Sequence, residues 1–578
     1  MRSLCSIFLA LACTAASAGP SEDLNALLDE SWERQLENYP MFASQLGDRR
    51  YNDRWTDQSL KAIAERVDQN RSFLRRLYAI DRNALDQAGQ LNYELFRREL
   101  QNSVDAARFN AHLLPFSQRG GIQNLENNAN YLRFETVKDY DDWLARLDAI
   151  DELIDQVIAL AEQGRKSGFV SPRVLMERIP DQLSAQLVED AEASPFYAVF
   201  ADLPTTFSAA EQQRLRVTAR DTIGETVLPA YRRLARYFSD TYLPACRDSI
   251  GLSALPQGGE WYEFEARRFT TTQMTPDAIH RLGLNEVRRI REQMQKIIDD
   301  LDFDGDFQEF LMFLRSDPQF YYRDADALYE AYLATSKRID PELVRLFGKL
   351  PRMPYGVKPI PESIAPDTTT AYYMGPAADG SRAGIYWVNL YRPEVRPKYE
   401  IEVLTVHEAM PGHHLQIALQ QELSDIPEFR RYSGFTAFTE GWGLYSESLG
   451  YELGLYQDPY SRFGQLTYEM WRAVRLVVDT GIHYKGWTRQ QAIDFFKDNA
   501  AKTELDIINE IDRYISMPGQ ALAYKIGQLK MQALRDNAVQ ALGDKFDIRA
   551  FHDELLGAGA LPLDLLEQRM DAWAANQR

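Results

Sequence analysis

Apolar residues recur at intervals of three and four along most of the chain, the spacing that lines one face of an α-helix. The stretch SEDLNALLDESWERQLENYP, residues 21–40, repeats this pattern, with Ser21 as a candidate N-cap and Pro40 closing the segment. The same pattern predicts helices over Leu91–Leu100, Asp141–Glu162, Ala209–Phe238, Pro276–Leu301, Ala325–Phe347, Leu466–Tyr484 and Arg489–Asn499. No fixed-period repeat and no low-complexity tract interrupts it.

One region breaks the period. LPRMPYGVKPIPESIAPDTTTAYYMGPAADGSRAGIYWVNLYRP is dense in Pro and Gly, through which a helix cannot persist. Within it TTTAYYM and GIYWVNL are β-type runs joined by the turn-rich GPAADGSRA, which predicts a small sheet of two or three strands. A second break, at GGEWYEFEARRFTTTQMTP, suggests a helical half over 19–260 and a second half over 261–578. The alternative is one continuous unit over 24–570. The expected class is mainly α with a small sheet.

Length and charge narrow the options. The 578 residues are enough for a large buried core, and a net charge of −20 argues against nucleic-acid binding, which needs a basic face. The N-terminus MRSLCSIFLALACTAASAGP carries Arg2, an apolar run from Leu4 to Cys13 and an A-x-A ending at Ala18. This pattern predicts a secretory signal peptide over 1–18 and a periplasmic or secreted protein. Lipid attachment at Cys13 is the other reading, although Ala10-Leu11-Ala12 matches a lipidation signal poorly. No later segment is apolar enough to span a bilayer. Cleavage after Ala18 leaves Cys246 as the one cysteine, expected as a small buried hydrophobe without a disulfide.

The chemistry concentrates in VHEAMPGHHLQ, residues 406–416, which holds three of the seven histidines. In the zinc-protease pattern HExxH, two histidines four residues apart share one helical face and one metal. Here Pro411 occupies the fourth position and the next histidines are His413 and His414. A straight helix would hold His407 and His414 about 10 Å apart along its axis, too far to share an ion bound at about 2.0–2.1 Å. Pro411 forbids that straight helix, because it lacks an N–H and its ring crowds the carbonyl of His407. Met410-Pro411 then acts as a two-residue insertion in HE-A-GH. His407 and His413 become the expected ligands, with His414 as alternate ligand or neighbour. Glu440, 27 residues after His413 in GFTAFTEGWGLYSESLG, is the candidate third ligand. Glu447, two helical turns on, is placed to hydrogen-bond a ligand histidine or to cap the surface. Glu408 is the candidate general base for a water held by a single Zn2+ ion.

VHEAMPGHHLQ, FTEGWGLYSE, VDTGIHYKGWT and MPGQALAYKIG together resemble the bacterial family catalogued as domain of unknown function 885 (DUF885), over nearly the whole chain. That family in turn resembles helical zincin-type peptidases of the thimet-oligopeptidase and carboxypeptidase Taq groups. The resemblance implies a helical zincin-like architecture, zinc, and a glutamate ligand on a later helix, which FTEGW assigns to Glu440. It also implies a downstream tyrosine donating to an oxyanion; Tyr524 is the match, with a packing role as the other reading. Arg513, Lys525 and Arg382 are candidates for a substrate carboxylate, with ion pairing as the alternative. His483 is a candidate substrate-facing catalytic histidine.

Three functions follow as expectations. The first is an exported zinc peptidase cutting short peptides, of carboxypeptidase, dipeptidase or oligopeptidase type. The second is a metalloprotein that binds peptides without cutting them. The third is a metal-dependent amidase acting on cell-wall peptides.

Overall fold

The computed structural model describes residues 19–362, 365–367, 369–378, 380, 382–432 and 434–577; the expected signal peptide and Cys13 lie outside them. The described chain is mainly α-helical with one three-stranded sheet. None of the described helices is long and apolar enough to cross a membrane.

The helical periodicity is realised, with local corrections. The first helix runs Pro20–Asn38 with Gly19 rather than Ser21 at its cap, Pro20 supplying the first-turn φ. The pattern over 141–162 becomes two helices, Val137–Asp148 and Ile150–Ser167. The pattern over 209–238 is helical throughout, but a wider π turn occupies Ile223–Val227 and a second one Phe238–Tyr242. Pro229 and Pro244 each follow two residues behind such a turn. A proline ring crowds the carbonyl four residues earlier, and the wider turn relieves that clash without ending the helix. The helix expected to reach Phe347 stops at Ile339 and tightens into a 3₁₀ segment, Asp340–Arg345, around Pro341.

The sheet has the order β1-β3-β2, from β1 (Tyr355–Pro359), β2 (Ala371–Met374) and β3 (Gly384–Val388). β1 runs parallel to β3, and β2 runs antiparallel to it. Central β3 is the most buried strand, as its apolar Ile385, Tyr386 and Val388 require. Tyr386 reaches the next helix, its hydroxyl 3.5 Å from Thr405 Oγ1.

Two apolar cores hold the helices together. One gathers Leu24–Phe264 residues with the sheet and the helices after residue 400; the other joins residues 116–246 to the long helices Pro276–Asp300 and Pro459–His483. Each core draws on residues from both sides of residue 260. Cys246 is buried and free, its thiol pushed up to about 12 by burial.

Candidate metal centre

The helix Ile401–Glu408 ends where Pro411 requires it to end, and a second helix, His413–Gln421, starts two residues after that proline. The Met410–Pro411 peptide is cis. The chain therefore stops and restarts rather than bending as one helix. Gly412 makes the return possible: a Cβ there would strike the carbonyl oxygens of Val406 and His407. Trp442 fixes the turn from the opposite side, its indole N–H donating to Pro411 O at 2.8 Å and also approaching Gly412 O at 3.2 Å.

This connection brings the His407 and His413 rings to a centroid separation of 4.8 Å at 86°. The helix Thr436–Leu449 supplies Glu440, whose Oε2 lies 3.7 Å from His407 Nε2 and 3.4 Å from His413 Nε2. One ligand atom from each of the three residues lies within 4.8 Å of the others. The carboxylate distances exceed the ~2.7–2.9 Å of a charge-assisted hydrogen bond. The His413 distance equals the edge of a tetrahedron around an ion with bonds of about 2.0–2.1 Å, about 3.3–3.4 Å long, and the His407 distance is a few tenths of an ångström longer. The three side chains form a set able to hold a metal ion.

The surroundings prepare that set. His407 Nδ1–H donates to Glu447 Oε1 at 2.8 Å, which fixes the tautomer and leaves Nε2 facing Glu440 and His413. Glu447 is fully buried, and Arg472 Nη2 lies 3.7 Å from the same oxygen. Burial works against a charged His407, but Glu440 and Glu447 outweigh it and raise its pKa to about 9. Burial also opposes the Glu440 charge, yet the two histidines hold its carboxyl well below the usual range. Glu408 goes the other way: burial raises its pKa despite the neighbouring histidines. A carboxylate with a raised pKa beside a metal set has the proton affinity a general base needs.

His414, the alternate ligand, turns away from this set. Its Nδ1 pairs with the Tyr373 hydroxyl at 2.8 Å and its Nε2 with Met353 O at 3.0 Å, and burial lowers its pKa to about 4. It joins the helix to β2, while His413 faces Glu440. Tyr524 lies near the site: its helix, Ala523–Leu542, crosses the Glu440 helix where Gly441 and Gly527 meet. A Cβ on Gly441 would sit 2.5 Å from Gly527 Cα, so only glycine permits the approach. Burial and then the Glu440 charge raise the Tyr524 pKa.

Three other candidates are engaged elsewhere. His483 is fully buried, accepting from Leu252 N at Nδ1 and paired with Tyr514 O through Nε2, both at 3.0 Å. It clamps two backbone segments instead of facing a substrate. Lys525 is fully buried and spends its ammonium on Glu469 at 2.7 Å, Gln528 at 2.7 Å and Glu286 at 3.0 Å. Three acceptors for three N–H donors leave none for a ligand. Arg382 donates to Gly375 O at 2.9 Å across the β2–β3 connection. Arg513 bonds Glu510 and Gln520 on the Tyr524 side of the site.

A model of the DUF885 family, bacterial proteins of unknown function, matches residues 40–570. The chain belongs to this family. It is similar to the crystal structure of a candidate lipoprotein from Colwellia psychrerythraea, with 30% identity and a TM-score of 0.88 over 96% of this chain and 100% of that one. A candidate lipoprotein of unknown function from Shewanella oneidensis shares the fold at 19% identity, with a TM-score of 0.73 and the same coverage of the two chains. No curated protein matches the chain.

In this DUF885 protein one site residue escapes a search for ionisable groups. Gly443 faces His407, and a Cβ on it would lie 2.8 Å from the ring's Cε1 and 3.0 Å from Nε2. Its place in TEGWG, one turn from both Glu440 and Glu447, is the sequence clue. Gly443→Ala should favour the helix by about 0.8–1.0 kcal/mol, yet displace the imidazole and weaken metal binding roughly 10- to 100-fold. Chelator competition beside a melting curve checks this; unchanged affinity would show that the ring has room.

Proposed function

We propose that the protein is an extracytoplasmic, zinc-dependent peptidase acting on short peptides, with a zincin-like arrangement of its site. The observation that supports it best is Glu440 Oε2 facing both histidine Nε2 atoms, with Glu408 one residue from the first of them. Two imidazoles and one carboxylate are a donor set that suits zinc. His407, His413 and Glu440 would hold the ion, which supplies positive charge that polarises the peptide carbonyl and acidifies the attacking water.

The remaining work falls to the protein. Glu408 takes a proton from the water as its oxygen bonds to the carbonyl carbon, then gives that proton to the amine nitrogen as the C–N bond breaks. The Tyr524 hydroxyl donates a hydrogen bond to the oxyanion and keeps its proton. Glu447 keeps the His407 ring in one orientation, and Arg472 supports Glu447. The N-terminal A-x-A pattern and the candidate lipoproteins that share the fold support a place outside the cytoplasm.

The test is cleavage of a mixed peptide library by the full-length, zinc-loaded protein, followed by mass spectrometry. We expect cleavage that a chelator abolishes and zinc restores. A protein holding one equivalent of zinc that leaves every peptide intact would refute the reading.

A further inference from the structure

A group of arginines beside Tyr524 is not used by the metal set or by Glu408. Arg475 is 3% exposed and lays its guanidinium over the Tyr524 ring, 4.3 Å from the centroid. Its Nε donates to the Tyr514 hydroxyl at 2.8 Å and its Nη2 to Glu510 Oε2 at 3.1 Å, while Nη1 is buried without a partner among the described residues. Buried donors are normally paired, so this atom is a donor still open to a ligand oxygen. Arg513 shares the same Glu510 oxygen at 3.2 Å and donates to Gln520 at 2.9 Å.

The third arginine comes from the other end of the chain. Gln118 donates to the backbone carbonyl of Asp512 at 3.3 Å, which docks the loop at Ser117–Gly121 beside Arg513. The next residue, Arg119, is exposed, and its guanidinium has no hydrogen bond or ion pair with any described residue. Partial desolvation and the Arg513 charge lower its pKa from the usual arginine value. Two guanidinium groups therefore share one carboxylate, Glu510, and the third, Arg119, lies within electrostatic reach of both Arg513 and Glu510, in a chain whose net charge is −20. An arriving anion would relieve the repulsion among them. The free donors, one buried Nη1 and one exposed planar fork, suit a two-oxygen anion.

We propose that Arg119, with Arg475 and Arg513, forms a subsite for the free α-carboxylate of a peptide. Tyr524 and Glu440 flank the glycine crossing, so the subsite adjoins the metal set. The substrates are then peptides with a free C-terminus, cut near that end. This inference rests on the peptidase reading for its catalytic meaning, but its test reads binding.

Zinc-loaded, full-length Glu408→Gln protein is titrated with dansyl-trialanine as the free acid and as the C-terminal amide. The acid should bind ~10- to 100-fold more tightly, the range of a charge-assisted hydrogen bond. Arg119→Ala in the same background should erase most of that gap, and Arg119→Lys should restore part of it. Because Arg119 is exposed, its variants should melt with the parent. Equal affinity for acid and amide, or a gap that survives Arg119→Ala, would overturn the proposal. Failure of the wild-type protein to cut peptides would count instead against the peptidase reading.

Discussion

Glu408→Gln should lower peptide hydrolysis by about 10²- to 10⁴-fold, the usual contribution of a positioned general base, and leave the metal content unchanged. The substitution keeps the side chain's size and removes only its capacity to take a proton. The residue is partly accessible to solvent, unlike its neighbour His407, so water can reach it. Burial raises its pKa, which strengthens it as a base and lets it return the proton to the leaving amine. A structural carboxylate would behave differently, since amide and acid pack alike and the rate would hold. Steady-state kinetics with elemental analysis of the same sample separates the two. A wild-type rate in the variant would remove Glu408 from the reaction.

The second large effect separates the two adjacent histidines. His413→Ala and Glu440→Gln should each lose stoichiometric metal, whereas His414→Ala should keep it. The first pair removes donor atoms from a three-member set; an ion with two protein ligands is held far less tightly. His414 spends both ring nitrogens on Tyr373 and Met353, so its loss should cost stability by leaving the Tyr373 hydroxyl and Met353 carbonyl without their partner. About 1–3 kcal/mol is typical for such a buried loss. Metal affinity by chelator competition, read with thermal melting, distinguishes the outcomes. Metal loss in His414→Ala with full retention in His413→Ala would reverse the ligand assignment.

Much of this site was legible in the sequence because the local chemistry is restrictive. A proline four residues after His407 excludes the straight helix, and the interval to His413 fits only if the chain detours. The Pro/Gly-rich stretch before it correctly signalled a sheet, since no helix crosses such a run. What sequence could not supply was direction. His413 and His414 are adjacent and chemically identical, and only the packing of Tyr373 and Met353 tells them apart. For Lys525 the sequence left carboxylate binding and ion pairing both open, because its partners, Glu286 and Glu469, come from distant helices. His483 failed for a similar reason: Leu252 N and Tyr514 O meet it only in the folded chain. The helix also stops and restarts at the proline, a difference that periodicity does not register. Gly443 carries no ionisable group, so the sequence offers only its place one turn from Glu440 and Glu447, and the neighbouring ring supplies the rest.

The most direct test of the metal centre is X-ray absorption at the zinc edge on protein loaded with one equivalent. The structure predicts a first shell of nitrogen and oxygen at about 2.0–2.1 Å, including two imidazoles. His413→Ala, treated the same way, should retain too little zinc to give this shell. A wild-type first shell containing a single imidazole, or none, would contradict the assignment of His407, His413 and Glu440.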